Sequence, residues 1–95
     1  MKAGLLILPR ADADLADVRP DDLRRVVEVL EFLCDYPHAA QTADLMDAPQ
    51  VRRAVAGQYL IYYRHDPDRH AILVYTVRHG HRRPPEAADV LGPED

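Results

Sequence analysis

The stretch VRRAVAGQYLIYYRHDPDRHAILVYTVRHGHRRP, residues 51–84, decides the fold of this chain. Residues 58–64 and 71–77 are rich in β-branched and aromatic side chains, and they flank the turn cluster HDPDRH at residues 65–70. This arrangement predicts a β-hairpin with a longer loop. Alternating positions place apolar side chains on both faces of the first run, so both hairpin strands are expected in the centre of a sheet.

The rest of the chain supplies further strands and two helices. Residues 51–56 predict a strand antiparallel to the first hairpin strand, because Gly57 is the only break between them. Residues 5–8 predict a short buried strand, and Pro9 and Pro20 each begin a helix, of which the first is short. The predicted fold is α+β: a small single domain with an N-terminal strand, two helices packed on one face, and a three-stranded antiparallel meander.

The second helix, predicted over residues 21–36, is amphipathic. Its apolar positions follow the spacing i, i+3, i+4, i+7, and they are Leu23, Val26, Val27, Leu30, Leu33 and Cys34. Val29 and Phe32 widen this face, which indicates either a wide core contact or a surface that a partner covers. Cys34 is the only cysteine, so an intrachain disulfide is excluded and a buried structural thiol is expected. Residues 38–49 predict a connection with a short helical turn at residues 42–46.

Charge is distributed unevenly along the chain, whose formal net charge is −4. Residues 1–50 carry five basic and ten acidic side chains, and residues 51–85 carry seven arginines and two aspartates. Residues 86–95 carry four acidic side chains and no basic one. The sheet-forming half is therefore cationic on an acidic protein, which favours a local anionic partner over general coating of nucleic acid. Arginine suits pairing with carboxylate or phosphate; the alternative is that single arginines are solvated strand ends.

Several motifs together resemble one family. They are Arg53, the run Gly57-x-Tyr59-x-Ile61-x-Tyr63-Arg64, the run Val77-Arg78-His79-Gly80-x-Arg82-x-Pro84, the helix entry Pro9-x-Ala11-x-x-Asp14-Leu15, and residues 33–37. This set is similar to the RelE/ParE superfamily of bacterial toxins, the toxic halves of type II toxin-antitoxin pairs. The resemblance touches most of residues 5–84 and implies that the first strand lies beside the last. We expect residues 1–85 to form the toxin domain and residues 86–95 an acidic, partly disordered tail.

The end of the predicted last strand, His79-Gly80-His81-Arg82, resembles the ParE-like branch of the superfamily. That resemblance implies a toxin that arrests growth by inhibiting DNA gyrase, is neutralised by a cognate antitoxin and forms a hetero-oligomer with it. One alternative is a RelE-type endonuclease that cleaves mRNA on the ribosome, and a second is an inactive scaffold that binds an antitoxin. Whether the chain is an enzyme is therefore open. Gly80 is expected to make a sharp turn with positive φ.

Cleavage of RNA by its own 2′-hydroxyl requires a general base, cations around the phosphorane and a general acid. If the chain is a ribonuclease, the residues that could supply these groups are Arg53, Arg64, Arg78, His79 and His81. Arg64 and Arg78 end neighbouring predicted strands and are expected to converge on a phosphate. The alternative interpretation of His79 is a ring hydrogen-bonded to a neighbouring strand or loop. The candidates for binding the target or the antitoxin are Arg52, Arg53, Arg64, Arg78, Arg82, Arg83, Val29 and Phe32.

The histidine spacing does not favour a metal site. His79 and His81 share one side of an extended segment, but His65 and His70 lie at the other end of the hairpin, roughly 25 Å away at about 3.3 Å per residue. No metal or cofactor is expected. No stretch reaches the roughly 18 apolar residues of a membrane span, and no signal peptide is recognised, so a cytoplasmic location without membrane contact is expected.

Overall fold

The fold was obtained as a computed structural model, which describes residues 2–45 and 48–80. The elements in chain order are β1 (Gly4–Ile7), α1 (Pro9–Ala16), α2 (Pro20–Asp35), β2 (Gln41–Thr42), β3 (Arg52–Ala56), β4 (Tyr59–Asp66) and β5 (Ala71–His79). They form one sheet with the order β1-β5-β4-β3-β2. β1 runs parallel to β5, and the other neighbours are antiparallel. The predicted α+β class, the meander, and the first strand beside the last are all confirmed.

Local chemistry accounts for both turns of the meander. Ala56 pairs with Tyr59, which leaves a two-residue loop in which Gly57 has φ +62°, a conformation that glycine adopts without steric cost. At the other turn, Asp66 Oδ1 accepts hydrogen bonds from the backbone N–H groups of Asp68 (3.0 Å) and Arg69 (3.4 Å). An aspartate that binds the backbone two residues ahead stabilises a turn. The first hairpin strand extends to Asp66, two residues beyond its predicted end at Arg64, and the second begins at Ala71 as predicted.

The two helices cover one face of the sheet and bury the main core. Proline occupies the start of each helix, as predicted. Four residues of α2 at the positions i, i+4, i+7 and i+8 are buried, namely Val26, Leu30, Leu33 and Cys34. These side chains pack against Ile61, Tyr63, Ile72 and Val74 of the sheet. Val27 was expected in the same buried stripe and that prediction is wrong, because its side chain is exposed.

The opposite face of the sheet is covered by the connection between β2 and β3. Ala48 and Val51 pack on Tyr62 and Tyr75 in a second, smaller buried cluster. The helical turn expected at residues 42–46 is wrong: Gln41 and Thr42 instead pair with β3, so the sheet has five strands rather than the four expected. Apolar side chains on both faces of β4 are thus explained by a helix layer on one side and a loop on the other.

Two smaller predictions about backbone environment are also wrong. β1 was expected to be buried, but Leu5 is 43 % exposed, because β1 lies at the edge of the sheet with β5 as its one neighbour. Gly80 does not have positive φ. A Cβ atom at that position would lie 3.3 Å from the carbonyl oxygen of Gln58, so close approach of the backbone is what favours glycine there. No helix in residues 2–45 or 48–80 has the length and apolar character needed to cross a membrane.

Candidate functional site

Several candidate arginines hold parts of the fold together. Arg52 Nη1 donates a 2.6 Å hydrogen bond to the carbonyl oxygen of Ala40 and lies 3.5 Å from that of His38. Arg64 Nε donates to Tyr75 Oη at 3.1 Å, and its Nη2 lies 3.9 Å from Asp66 Oδ2. Arg52 therefore fixes the segment that follows α2, and Arg64 joins the two hairpin strands near their turn.

Arg64 and Arg78 do not meet, so their predicted convergence is wrong. Arg78 lies opposite Leu60 in the ladder, whereas Arg64 lies opposite Leu73. Leu60 and Arg64 are four residues apart on β4, which separates the two arginines by roughly 13 Å at about 3.3 Å per residue. The reason is the antiparallel pairing: the carboxyl ends of β4 and β5 lie at opposite ends of the hairpin.

His79 makes the contact that its structural interpretation predicted. Its Nε2 lies 3.0 Å from Oε1 of Gln58, in the two-residue turn between β3 and β4. Its ring also packs edge-on to Tyr59, with 5.3 Å between ring centroids. The backbone N–H of Gly80 donates to the carbonyl oxygen of Gln58 at 2.7 Å. The end of β5 is thus fastened to the β3–β4 turn by both side-chain and backbone contacts.

Three predicted site residues, His81, Arg82 and Arg83, lie outside the described residues, as does the whole of the proposed acidic tail at residues 86–95. Arg53 lies on β3, directly opposite Tyr62 on β4, and its side chain is exposed. Arg53 on β3 and Arg78 on β5 lie on different strands, with β4 between them.

A small polar cleft of 190 Å³ lies between α1 and the end of β5. Asp14, Asp17, Tyr59 and His79 contribute to its lining. Asp14 Oδ2 accepts hydrogen bonds from Thr76 Oγ1 (2.6 Å) and from the backbone N–H of Val77 (3.0 Å). β5 carries an irregularity at this point, because Tyr62 pairs with Thr76 while Tyr63 pairs with Val74. β1 ends opposite Val74, so beyond that residue β5 has no strand on its β1 side in the described part of the chain, and Asp14 supplies an acceptor for the Val77 N–H there.

A larger apolar groove of 490 Å³ runs between α2 and the β2–β3 edge. Val29, Phe32, Arg53 and Val55 line it. Phe32 is 50 % exposed and Val55 is 64 % exposed, whereas Val29 packs partly against the core. Each of the two explanations offered for the wide face of α2 applies to one residue. Val29 contacts the core, and Phe32 belongs to an open surface. Hereafter the groove lined by these residues is called the α2 groove.

An apolar hollow of 590 Å³ continues from the α2 groove past the end of the helix. Phe32, Tyr36, Pro37 and His38 line it. The rings of Phe32 and Tyr36 lie 5.0 Å apart between centroids, and both are exposed. Exposed aromatic pairs beside an apolar groove are typical of protein-docking surfaces, because aromatic side chains dominate the energetics of such interfaces. Tyr36 was not among the predicted site residues, since its position at the end of α2 gave no periodic signal.

Cys34 is not a reactive nucleophile, and the described residues hold no cluster of metal ligands. Burial raises the pKa of the Cys34 thiol from 9.0, with smaller contributions from nearby charges, so the thiol stays protonated and unreactive at neutral pH. Residues 2–45 and 48–80 contain no group of three or more histidine, cysteine, aspartate or glutamate side chains arranged to hold a metal ion.

Several solved structures have the same fold as this chain. The toxin-antitoxin complex RelBE2 from Mycobacterium tuberculosis contains a chain that is 23 % identical, with a TM-score of 0.73, covering 83 % of this chain and 99 % of that one. The isolated RelE toxin of E. coli is 14 % identical with a TM-score of 0.72, covering 85 % and 87 %. The RelE-RelB complex of Pyrococcus horikoshii is 20 % identical with a TM-score of 0.67, covering 87 % and 100 %. The fold is that of the RelE/ParE superfamily of toxins.

The family within that class follows from the sequence. Residues 5–84 match the model of a family described as the ParE toxin of the type II toxin-antitoxin system parDE. The chain belongs to this ParE toxin family. A search of curated proteins found no match.

Proposed function

We propose that this toxin arrests growth by binding DNA gyrase, and that a cognate antitoxin binds and silences it. Membership of the ParE toxin family supports the first part, since the match spans residues 5–84 and thus nearly all of the described chain. The RelBE2 toxin-antitoxin complex and the RelE-RelB complex, which have the same fold, support the second part. Both activities require the cell interior, so we propose a cytoplasmic location.

The observation that carries the choice of gyrase over RNA is the scatter of the basic residues. Catalysis by a ribonuclease requires cations and proton-transfer groups gathered around one phosphate. In the described part of the chain, Arg64 and Arg78 lie roughly 13 Å apart along the hairpin at about 3.3 Å per residue, while Arg52 is tied to backbone carbonyl groups. His79 is bonded to Gln58. Inhibition through protein contacts needs no such convergence.

The α2 groove is the surface that best fits the antitoxin. It is apolar, it contains the exposed ring of Phe32, and Arg53 lies at its rim on β3. An antitoxin segment with apolar side chains and acidic neighbours would bury Phe32 and pair with Arg53, in the manner of an amphipathic segment laid into a groove. The cationic sheet half of an otherwise acidic protein supports an acidic partner there.

The experiment that tests the target is pulse labelling after induction of this chain in bacteria that lack the antitoxin. Thymidine and amino-acid incorporation are followed in parallel. Early failure of DNA synthesis, with filamentous cells, supports gyrase as the target. Early collapse of protein synthesis with intact DNA synthesis overturns it in favour of the ribosome-dependent endonuclease. If the folded protein accumulates and neither synthesis changes, the chain is an antitoxin-binding scaffold without toxicity.

The antitoxin surface is tested by a matched pair of substitutions on α2. Phe32→Ser removes the exposed ring from the α2 groove, and we expect it to weaken antitoxin binding by more than about tenfold, as loss of an aromatic anchor usually does. Val27→Ser removes another exposed apolar side chain of α2 that does not line the groove, so the affinity is expected to stay within about twofold. Isothermal titration with the protein encoded beside the toxin gene measures both. Equal effects of the two substitutions would place the antitoxin elsewhere.

A further inference from the structure

The outer edge of β3 is paired along only part of its length. β2 consists of two residues, and its ladder with β3 ends at the pair Gln41–Arg53. On this same side, the carbonyl oxygen of Val51 accepts from the N–H of Ala43 at 2.8 Å. Backbone groups of an antiparallel strand alternate between its two sides, so the N–H and C=O groups of Val55 also face away from β4. Among the described residues, no strand lies beside Val55 on that side.

This open backbone borders the α2 groove. Val55 lines the groove together with Phe32 of α2 and Ala39 of the segment that follows the helix. A continuation of β2 would bring Ala39 opposite Val55, but the N–H of Ala39 instead donates to the carbonyl oxygen of Tyr36 in a turn, at 3.1 Å. The chain thus turns away before it pairs with Val55, and the groove of 490 Å³ opens beside β3 at this point.

Basic side chains flank Val55 on both sides. Arg53, two residues before it on β3, is exposed. At the other end, Arg25 of α2 lies beside the β3–β4 turn, since its Cγ is 3.7 Å from the position that a Cβ on Gly57 would take. Charge complementarity therefore favours a partner that carries carboxylates at both ends of this edge and an apolar side chain between them.

The same charges disfavour a second copy of this chain at the edge. In a symmetric antiparallel pair centred on Val55, Arg53 of one chain lies opposite Gly57 of the other, and thus near Arg25 of that second chain. One such contact arises at each end of the pair, and like charges that face each other destabilise strand pairing. An acidic strand from a different protein meets no such repulsion.

We propose that the antitoxin segment in the α2 groove binds as a β-strand that pairs with the outer edge of β3 at Val55; this inference rests on the antitoxin-binding part of the proposed function. The added strand bonds both outward backbone groups of Val55 and lengthens the row that β2 begins. Strand addition takes its affinity from main-chain hydrogen bonds and its specificity from alternate side chains. The neighbours of the residue opposite Val55 point into the groove toward Phe32, because side chains alternate along a strand.

The first test uses the unsubstituted toxin and the protein encoded beside its gene. Amide hydrogen exchange is measured residue by residue by NMR, with and without that protein. We expect exchange of the Val55 N–H to slow by more than about tenfold on binding, because strand pairing bonds and covers it. The N–H of Leu5 is the control, since it lies in β1 at the opposite edge of the sheet. Equal slowing of both amides would mean that binding only stabilises the fold, and would overturn the pairing.

A matched pair of substitutions tests the same hydrogen bond. Val55→Pro removes the N–H that the added strand uses, and proline is tolerated where this group faces outward at an edge. We expect the antitoxin affinity to fall by about tenfold or more, because a carbonyl group of the partner loses its donor. Val55→Thr keeps both the N–H and a β-branched side chain, so its affinity should stay within about twofold. Isothermal titration measures both.

Comparison with Phe32→Ser separates this inference from the proposed function. If Phe32→Ser weakens binding while the two Val55 variants bind alike and the Val55 amide exchanges as before, the antitoxin occupies the groove in another conformation and the strand pairing is wrong. If Phe32→Ser binds normally and the Val55 amide is also unaffected, the antitoxin lies elsewhere and both proposals fail. Because the exchange measurement uses the native chain, a proline variant that fails to fold does not leave the question open.

Discussion

The two ends of the β4–β5 hairpin use their polar side chains differently. At the turn end, charged groups serve the chain itself: Asp66 accepts from the turn backbone, and Arg64 and Arg69 lie within 3.9 Å and 3.5 Å of its second oxygen. At the open end, His79 shares a small cleft with two carboxylates, Asp14 and Asp17. Arg64 and His79, at opposite ends of the hairpin, thus have different surroundings.

This difference teaches where a functional surface can lie. Side chains that complete the hydrogen bonding of a turn cannot be released without cost, since a buried group left unpaired loses about 1–3 kcal/mol. The turn end is therefore committed to stability. The α2 groove, where Phe32 and Val55 are exposed, retains surface that a partner can cover.

The largest expected loss of stability comes from removing the carboxylate acceptor at the open end of the hairpin. Asp14→Ala removes the oxygen that accepts from Thr76 Oγ1 and Val77 N–H, and Thr76 is almost fully buried. We expect the free energy of unfolding to fall by about 3 kcal/mol, because two donors lose a charged acceptor. Chemical denaturation measures the change. Asp12→Ala, at an exposed position in the same helix, is expected to cost less than about 0.5 kcal/mol, and equal losses for both variants would contradict the role given to Asp14.

The second largest expected loss of stability comes from removing Asp66 at the turn end of the hairpin. Asp66→Ala removes the acceptor of two turn N–H groups and the partner of Arg64 and Arg69. The ion pairs are long and partly exposed, so most of the loss, about 2 kcal/mol in the free energy of unfolding, is expected from the turn hydrogen bonds. Asp68→Ala, exposed in the same turn, is the control and should be nearly neutral. Added salt should leave most of the difference between the two variants intact; if salt removes it, the ion pairs were dominant.

The hairpin was predictable from sequence because its signals are local. Apolar runs on both sides of a turn cluster, a glycine before Tyr59 and prolines at the starts of both helices each fix their own neighbourhood. Burial of β1 was not predictable in the same way, because an apolar run reads alike at the edge and in the centre of a sheet. Leu5 is exposed for a reason of topology rather than composition.

The candidate site was less predictable because it depends on contacts between distant residues. The distance between Arg64 and Arg78 follows from the register of an antiparallel pair, which the sequence near either arginine does not contain. The sequence indicates Asp14 only as part of the helix entry, whereas its partners Thr76 and Val77 lie more than sixty residues away. The same holds for His38 and His65, whose contact depends on where the connection crosses the sheet.

A smaller loss of stability is expected from the hydrogen bond between Tyr63 and the segment that follows α2. Tyr63→Phe removes the hydroxyl that donates to the carbonyl oxygen of Pro37 and so loosens the segment beside β4. We expect a loss of about 1 kcal/mol in the free energy of unfolding, the usual net value of one such bond. Tyr36→Phe, at an exposed ring, should change it by less than about 0.5 kcal/mol. Faster amide hydrogen exchange in residues 38–40 of the Tyr63 variant alone would place the loss in this segment, and unchanged exchange there would contradict it.

The smallest effect concerns pH and also distinguishes the two ends. Burial lowers the pKa of His65 below 6.5, its ordinary value, and His38, His70 and Arg52 lower it further against the opposing charge of Asp66. The folded state therefore binds fewer protons than the unfolded state in this range.

The sign of the pH effect follows from that difference in bound protons. The stability contribution of neutral His65 is complete above pH 6.5 and is lost as the pH falls through the lower, folded-state pKa. Denaturation curves recorded from about pH 7.5 to about pH 5.5 should show a shallower loss of stability in His65→Gln than in the unsubstituted protein. His38→Gln should lie between the two, because it removes one of the side chains whose electrostatic interaction lowers the pKa of His65. If all three proteins lose stability in parallel, the acid sensitivity of this fold does not originate at the turn end.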